Sequence, residues 1–211
     1  MQLASIEQGL ADLKSGKFLI VVDDEDRENE GDLVMPAECV TPDAVNFMVT
    51  HARGQVCMPM TSERLQELDI PMLPSVNSDS AMPTAFTMPV DYVVDTTTGI
   101  SAQDRAATIR ALIDPAARPQ DFIQPGHLFP LRYHTGGVLV RPGHTEAIID
   151  LCRLAGMYPA GVVCEIMKDD GTMARLPDLL MLAKKHSLNI LSIADLILHR
   201  RQHDPEARED G

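Results

Sequence analysis

The 211-residue chain has no tryptophan, three tyrosines and five phenylalanines. Its interior must therefore be filled by aliphatic side chains and by twelve methionines, which adapt to irregular gaps. Basic residues are also scarce, with 18 Lys and Arg against 31 Asp and Glu and a formal net charge of −13. That imbalance removes the electrostatic footprint needed for nucleic acid and opposes contact with anionic membranes, so neither is an expected partner. No apolar run is long enough to span a bilayer, and the first thirty residues lack a basic start followed by an apolar stretch. The expectation is a soluble, cytoplasmic protein without a signal peptide. Cys39, Cys57, Cys152 and Cys164 stand apart, with no Cys-x-x-Cys pair and no histidine at ligand spacing. This argues against structural zinc and for reduced, mostly buried thiols.

What is present is the composition of an ordinary globular protein, 45% apolar and 23% charged. We expect one domain over residues 1–201, followed by an acidic tail, 202–211, which reads as disordered. Apolar runs at Phe18–Val22, Leu33–Val40, Gln55–Met60 and Gly161–Met167 read as buried strands. Shorter strands are expected near Ala85–Val90, Gly137–Val140 and Asn189–Leu191. Helices are signalled by caps: Ser5 before Ile6, Thr41 with Pro42, Thr61, and Ser101 with Asp104 three residues later. Further helices are expected after Thr145, near Pro177–His186 and over Ser192–Arg201. Residues 69–83 and the proline-rich stretch from Pro115 to Pro130 read as connections. The alternation predicts an α/β (α+β) layered fold.

Charge is concentrated in one place. Residues 23–32 hold seven acids and one arginine, pinned between two apolar strands. A like-charged block is ordinarily a solvated surface. Here folding forces the carboxylates together, and their repulsion calls for a positive partner such as a divalent cation, Arg27 or both. An extended stretch puts Glu28, Glu30 and Asp32 on one face, a donor set suited to Mg2+ or Mn2+. The segment starting at Asp26 also resembles the opening of a calcium loop. That reading fails because Ala37 stands where a bidentate glutamate is needed. A second constellation is Arg141-Pro142-Gly143-His144-Thr145. Two readings fit it: an anion site in which backbone N–H groups, Thr145 and Arg141 meet a phosphate, or an ordinary strand-to-helix turn capped by Thr145. Glu165 interrupts an apolar strand, which means a polar site or a wet edge. His127 follows Pro125-Gly126 in a loop.

These residues fall into a known pattern. The acidic decapeptide with Leu33-Val34, Thr84-Ala85-Phe86-Thr87, Thr97-Thr98-Gly99-Ile100-Ser101-Ala102-x-Asp104-Arg105, Pro125-Gly126-His127-x-Phe129-Pro130-Leu131, Gly136-Gly137-Val138-Leu139, Arg141-x-Gly143-His144-Thr145-Glu146, Ala160-Gly161-Val162 with Glu165, and Asp169 to Arg175 occur in this order. Together they closely resemble the 3,4-dihydroxy-2-butanone 4-phosphate synthase family of riboflavin biosynthesis. The resemblance implies a single-domain three-layer α/β sandwich around a mixed β-sheet, and a homodimeric, Mg2+-dependent lyase. It implies conversion of D-ribulose 5-phosphate to L-3,4-dihydroxy-2-butanone 4-phosphate and formate through a metal-stabilised enediolate, dehydration, a 1,2 carbon shift and loss of C4. Since the sequence ends at Gly211, no fused GTP cyclohydrolase II domain is expected. The resemblance assigns Glu28 and His144 to the metal. It assigns Arg27, Glu28, Asp32, the five residues Arg141, Pro142, Gly143, His144 and Thr145, and Glu165 to the substrate, and His127 and Glu165 to catalysis. Asp32 and Glu30 join the acid–base candidates, and Cys57 and Thr98 match positions near the site. Two rival readings are a different divalent-metal isomerase or lyase of sugar phosphates, and an inactive nucleotide-binding relative.

Overall fold

A computed structural model describes residues 3–74 and 83–203. In chain order the elements are α1 (Ile6–Lys14), β1 (Leu19–Val22), β2 (Gly31–Pro36), α2 (Pro42–His51), β3 (Cys57–Met60), α3 (Ser62–Glu67), β4 (Val90–Tyr92), α4 (Ala102–Ile113), β5 (Phe122–Arg132), α5 (His144–Ala155), β6 (Gly161–Glu165), α6 (Leu176–His186), β7 (Asn189–Ser192) and α7 (Ile193–His203). The capping signals hold. Ser5 closes a capping box with Gln8, Thr41 accepts from the Ala44 amide with Pro42 in the first turn, and Ser101 accepts from the Asp104 amide.

The strands form one sheet in the order β4-β5-β3-β6-β2-β1-β7. It is mixed: β1 runs parallel to β7 and β3 to β5, and the remaining neighbours are antiparallel. Because side chains alternate across a strand, each central strand feeds two cores. Ile20, Leu33, Met35, Met58, Val162 and Cys164 pack with α2, α4 and α6. Leu19, Val21, Val34, Cys57 and Val163 pack with α1, α5 and α7. The central strands therefore read as unbroken apolar runs because helices cover both faces, which gives the three layers expected.

Several local expectations are corrected. The stretch read as a connection up to Pro130 holds most of β5, which is eleven residues long and carries Pro125 and Pro130. Gly137–Leu139 is a 3-10 turn, where a strand was expected. β2 begins at Gly31 and ends at Pro36, so Asp32 is a strand residue. The 85–90 strand reduces to isolated bridges at Phe86 and Thr87 before β4. The acidic tail was expected from residue 202, but α7 continues through His203. The rest of that tail, 204–211, and the middle of the 69–83 connection, with Asn77, Ser78 and Asp79, lie outside the described residues. Among the described residues no helix is long and apolar enough to cross a membrane.

Candidate active site

The β2–β6 register places Asp32 opposite Glu165. Both share strand parity with Val34 and Val163, so both side chains face the layer that holds α5. The first turn of α5 arrives at the same sheet end, where His144 Nε2 lies 3.2 Å from the Val21 carbonyl. A carbonyl only accepts, so Nε2 carries the proton, and in a neutral imidazole Nδ1 becomes the lone-pair nitrogen. That nitrogen lies 3.8 Å from Glu28 Oε2. Backbone anchoring of the far ring nitrogen is the usual support for a metal-ligating histidine.

Glu28 reaches this point because the acidic decapeptide is a tight loop between β1 and β2, where an extended stretch was expected. Asp23 organises it. Its carboxylate has a fully buried side chain and accepts from Arg27 Nη1 at 2.9 Å and from the Glu28 and Glu30 amides at 3.1 and 2.8 Å. Asn29 takes the left-handed φ of 53° that the turn requires, and Arg175 donates to the carbonyls of Glu28 and Asn29. Asp23, Glu28 and His144 bring ligand atoms within 4.8 Å of one another. With Asp23 already engaged by three donors, Glu28 and His144 are the pair that suits an ion. One carboxylate and one imidazole match a hard or borderline divalent cation that keeps several waters.

Between the loop and α5 lies a cavity of about 130 Å³ lined by Arg27, Glu28, Glu30, Asp32, Cys57, Thr84, Phe86, Leu131, Arg141, His144, Thr145, Val163 and Glu165. Four carboxylates thus face two guanidiniums. Asp32 is buried, and its Oδ1 has no hydrogen-bond partner. Burial, chiefly, with the neighbouring carboxylates adding, pushes its pKa up to about 7 even though His144 opposes the shift. Burial also raises Glu30, helped by Glu28. Glu28 moves the other way, to about 2, because His144, positive when protonated, and then Arg27 face its carboxylate. For His144, burial favours the neutral ring but Asp32, Glu28 and Asp23 outweigh it and raise the pKa to about 9. An orphaned buried carboxylate oxygen beside this pair is the arrangement expected where a cation belongs.

On the far wall, Glu165 Oε2 accepts from the Gln55 amide at 2.8 Å. Gly54 is required there, because a Cβ would fall 2.3 Å from the Glu165 carbonyl. The Arg141–Thr145 turn resolves its two readings in part: α5 starts at His144, its N-cap is Gly143, and no side chain caps it. Thr145 is therefore no cap, and the helix start is free of a competing side chain, as an anion site requires. Pro142 and Gly143 shape the turn, while Arg141, His144 and Thr145 line the cavity.

Two expected site residues lie elsewhere. His127 sits on a bulge of β5, where the register with β4 jumps between Val90 and Asp91. Its amide and Nδ1 lie 2.9 and 2.6 Å from the two oxygens of Asp91. It does not line the cavity of its own chain. Thr98 lies in the loop that Asp104 holds through Thr97 and Gly99. Cys57 does line the cavity, with a buried thiol whose pKa is pushed up by burial. Asp23, Arg175, Glu146 and Asp150 carry no role in the sequence reading. Two signals were available: Asp23 directly follows a buried strand, and Glu146 and Arg175 stand within motifs that carry the family resemblance.

Comparison with known proteins bears on the family and the fold. The family model described as 3,4-dihydroxy-2-butanone 4-phosphate synthase matches residues 7–199. The enzyme of that name from Agrobacterium fabrum (strain C58 / ATCC 33970) is 54% identical over 197 residues, covering 93% of this chain and 92% of the relative. The riboflavin biosynthesis protein RibBA of Synechocystis sp. (strain ATCC 27184 / PCC 6803 / Kazusa) is 57% identical over 202 residues, which is 95% of this chain and 36% of that protein. Against the RibBA of Aquifex aeolicus (strain VF5) the chain likewise spans 50% of the relative's length. Among solved structures, a 3,4-dihydroxy-2-butanone 4-phosphate synthase in complex with two magnesium ions superposes with a TM-score of 0.88 at 41% identity, covering 97% of this chain and 99% of that one.

Proposed function

Since the chain belongs to the 3,4-dihydroxy-2-butanone 4-phosphate synthase family, we propose that it converts D-ribulose 5-phosphate into L-3,4-dihydroxy-2-butanone 4-phosphate and formate in riboflavin biosynthesis, as a cytoplasmic enzyme. The observation that carries this reading is the meeting of the acidic loop and the α5 turn in one cavity. Glu28 and His144 would hold Mg2+, with Mn2+ as the alternative. When bound, the ion would add positive charge to a site in which four carboxylates outnumber two guanidiniums, as an anionic substrate requires.

The side chains divide the remaining work. Arg141, Thr145 and the amides that open α5 take the phosphate, with Arg27 adding charge at the other end. The reaction begins by removing the proton next to the ketone, and water loss, carbon shift and formate release each move further protons. Asp32, Glu30 and Glu165 surround the place where those transfers occur. Asp32, buried with an unpartnered oxygen in the cavity, is placed to accept and return a proton.

His127 resembles an essential position yet lies outside its own cavity. The same sheet edge exposes Val93, Val94, Ile100 and Ile123. Apolar side chains grouped at one edge suit cover by a second copy, and a homodimer of this kind would bring His127 to the neighbouring site. Mixing inactive His127→Ala with inactive Glu165→Gln subunits should then restore up to about a quarter of wild-type turnover, by statistical pairing. Mixtures that stay inactive would count against a shared site. The function itself is tested by formate release from ribulose 5-phosphate and Mg2+: isomerisation without formate would favour the isomerase reading.

A further inference from the structure

We propose that Glu146, seconded one turn later by Asp150, is a positioning residue that fixes the Arg141 guanidinium for phosphate. The inference rests on the reading that the substrate phosphate docks on the Arg141–Thr145 turn. Both acids are buried, 1% and 2% exposed, on a helix whose other buried residues past His144 and Thr145 are apolar. Together they tie down the loop that leads into the turn. Glu146 Oε1 accepts from the His134 amide at 3.1 Å, and its Oε2 lies 2.6 Å from Arg141 Nη1. Asp150 accepts from the Val138 amide at 2.9 Å, from the Tyr133 hydroxyl at 3.1 Å and from Arg200 at 2.8 Å. Arg200 also donates to the Gly136 carbonyl at 2.9 Å. The loop is thus held at residues 134, 136, 138 and 141 before the chain enters the helix.

The guanidinium itself is held on two sides, by Glu146 and by Thr84 Oγ1, 3.1 Å from Nη2. It is folded so closely under the turn that a Cβ at residue 143 would come within 2.3 Å of Nη1 and 2.9 Å of Glu146 Oε2. Glycine there is consequently a condition of the arginine's placement. Keeping a buried carboxylate next to a phosphate site is electrostatically adverse, since it neutralises the cation meant for the ligand. What it provides is preorganisation: a long, rotamer-rich side chain is fixed before the substrate arrives, with its donor fork in place.

Three roles for Glu146 give three different outcomes in the Glu146→Gln full-length protein. Positioning predicts that KM for ribulose 5-phosphate and the inhibition constant of inorganic phosphate both rise about tenfold, while kcat changes much less. A charge effect alone would lower both constants. A role confined to folding would reduce melting temperature and active fraction with KM unchanged. Either of the last two results overturns the proposal. Arg141→Ala on its own should raise both constants, and adding Glu146→Gln to it should raise them no further, since nothing remains to be positioned. If Arg141→Ala leaves both constants unchanged, the phosphate reading fails. If it raises them and the second substitution multiplies the effect, the positioning claim alone fails. Should Glu146→Gln not fold, Thr84→Val removes another Arg141 contact at a less buried position, and a rise in KM of about two- to fivefold is expected. An unchanged KM in Thr84→Val contradicts the proposal.

Discussion

The two halves of the cavity are built in opposite ways. The acidic half is a loop folded around one of its own carboxylates: Asp23 satisfies Arg27 and two backbone amides, and Glu28 and Glu30 project from the frame it makes. The basic half has a locally folded backbone, but its guanidinium is held from outside the turn. Its arginine is held by Glu146 of α5 and by Thr84 from a distant segment, while Asp150 holds the loop that precedes it. Carboxylates that bind a cation need a scaffold that resists their repulsion, and a short-range hydrogen-bond frame supplies it. An arginine needs to lose freedom, and for that a rigid helix is the better anchor.

The comparison breaks most sharply at Glu28. Replacing it with Gln removes the charged ligand and leaves the Asp23 frame intact. Metal-dependent turnover should fall by about 10²–10³-fold while the melting temperature stays close to wild type, and parallel assays of activity and thermal unfolding decide this. Asp23→Ala should affect both properties. It removes the acceptor of the Glu28 and Glu30 amides and of Arg27, at a cost of about 1 kcal/mol, and loosens Glu28, so the apparent Mg2+ requirement should rise along with the loss of stability. A variant that loses stability but keeps its Mg2+ dependence would show that Glu28 does not rely on the frame.

The smallest effect concerns a loop outside the cavity. The Thr97 hydroxyl, together with the Thr97 and Gly99 amides, holds the Asp104 carboxyl at a pKa of about 2. A depressed carboxylate stabilises the fold fully above the ordinary aspartate value near 4 and loses that contribution as pH falls toward 2. Asp104→Asn should therefore melt lower than wild type at pH 7, with the gap narrowing as pH drops from 5 to 3. A gap independent of pH would mean that the hydrogen bonds, not the charge, matter.

Legibility in the sequence followed burial and periodicity. β1, β2, β3 and β6 were readable because strands covered on both faces are apolar throughout, and α1, α2 and α4 because their caps are side-chain chemistry. β5 was not, since Pro125, Gly126 and Pro130 spoil a strand pattern; Pro130 is accommodated beside β3, and the bulge absorbs Gly126 where a Cβ would strike the Val90 carbonyl carbon at 2.1 Å. The Gly137–Leu139 turn misled because apolar residues there seal the turn against α5 and were mistaken for a strand. Of the residues that line the cavity, Glu28, Glu30, Asp32 and Glu165 stood out in the sequence as charge between or within apolar strands, and His144 through its turn and the family resemblance. Glu146 and Asp150 did not, because an acid on a helix reads as solvent-facing until the fold shows which side is buried.

The most direct test of the central claim is formate release from D-ribulose 5-phosphate, titrated with Mg2+ in wild type and Glu28→Gln side by side. Saturable, Mg2+-dependent formate production by the wild type, lost in a folded Glu28→Gln protein, is the predicted result. Equal formate production by both would remove the acidic loop from the reaction, and its absence from both would contradict the proposed activity.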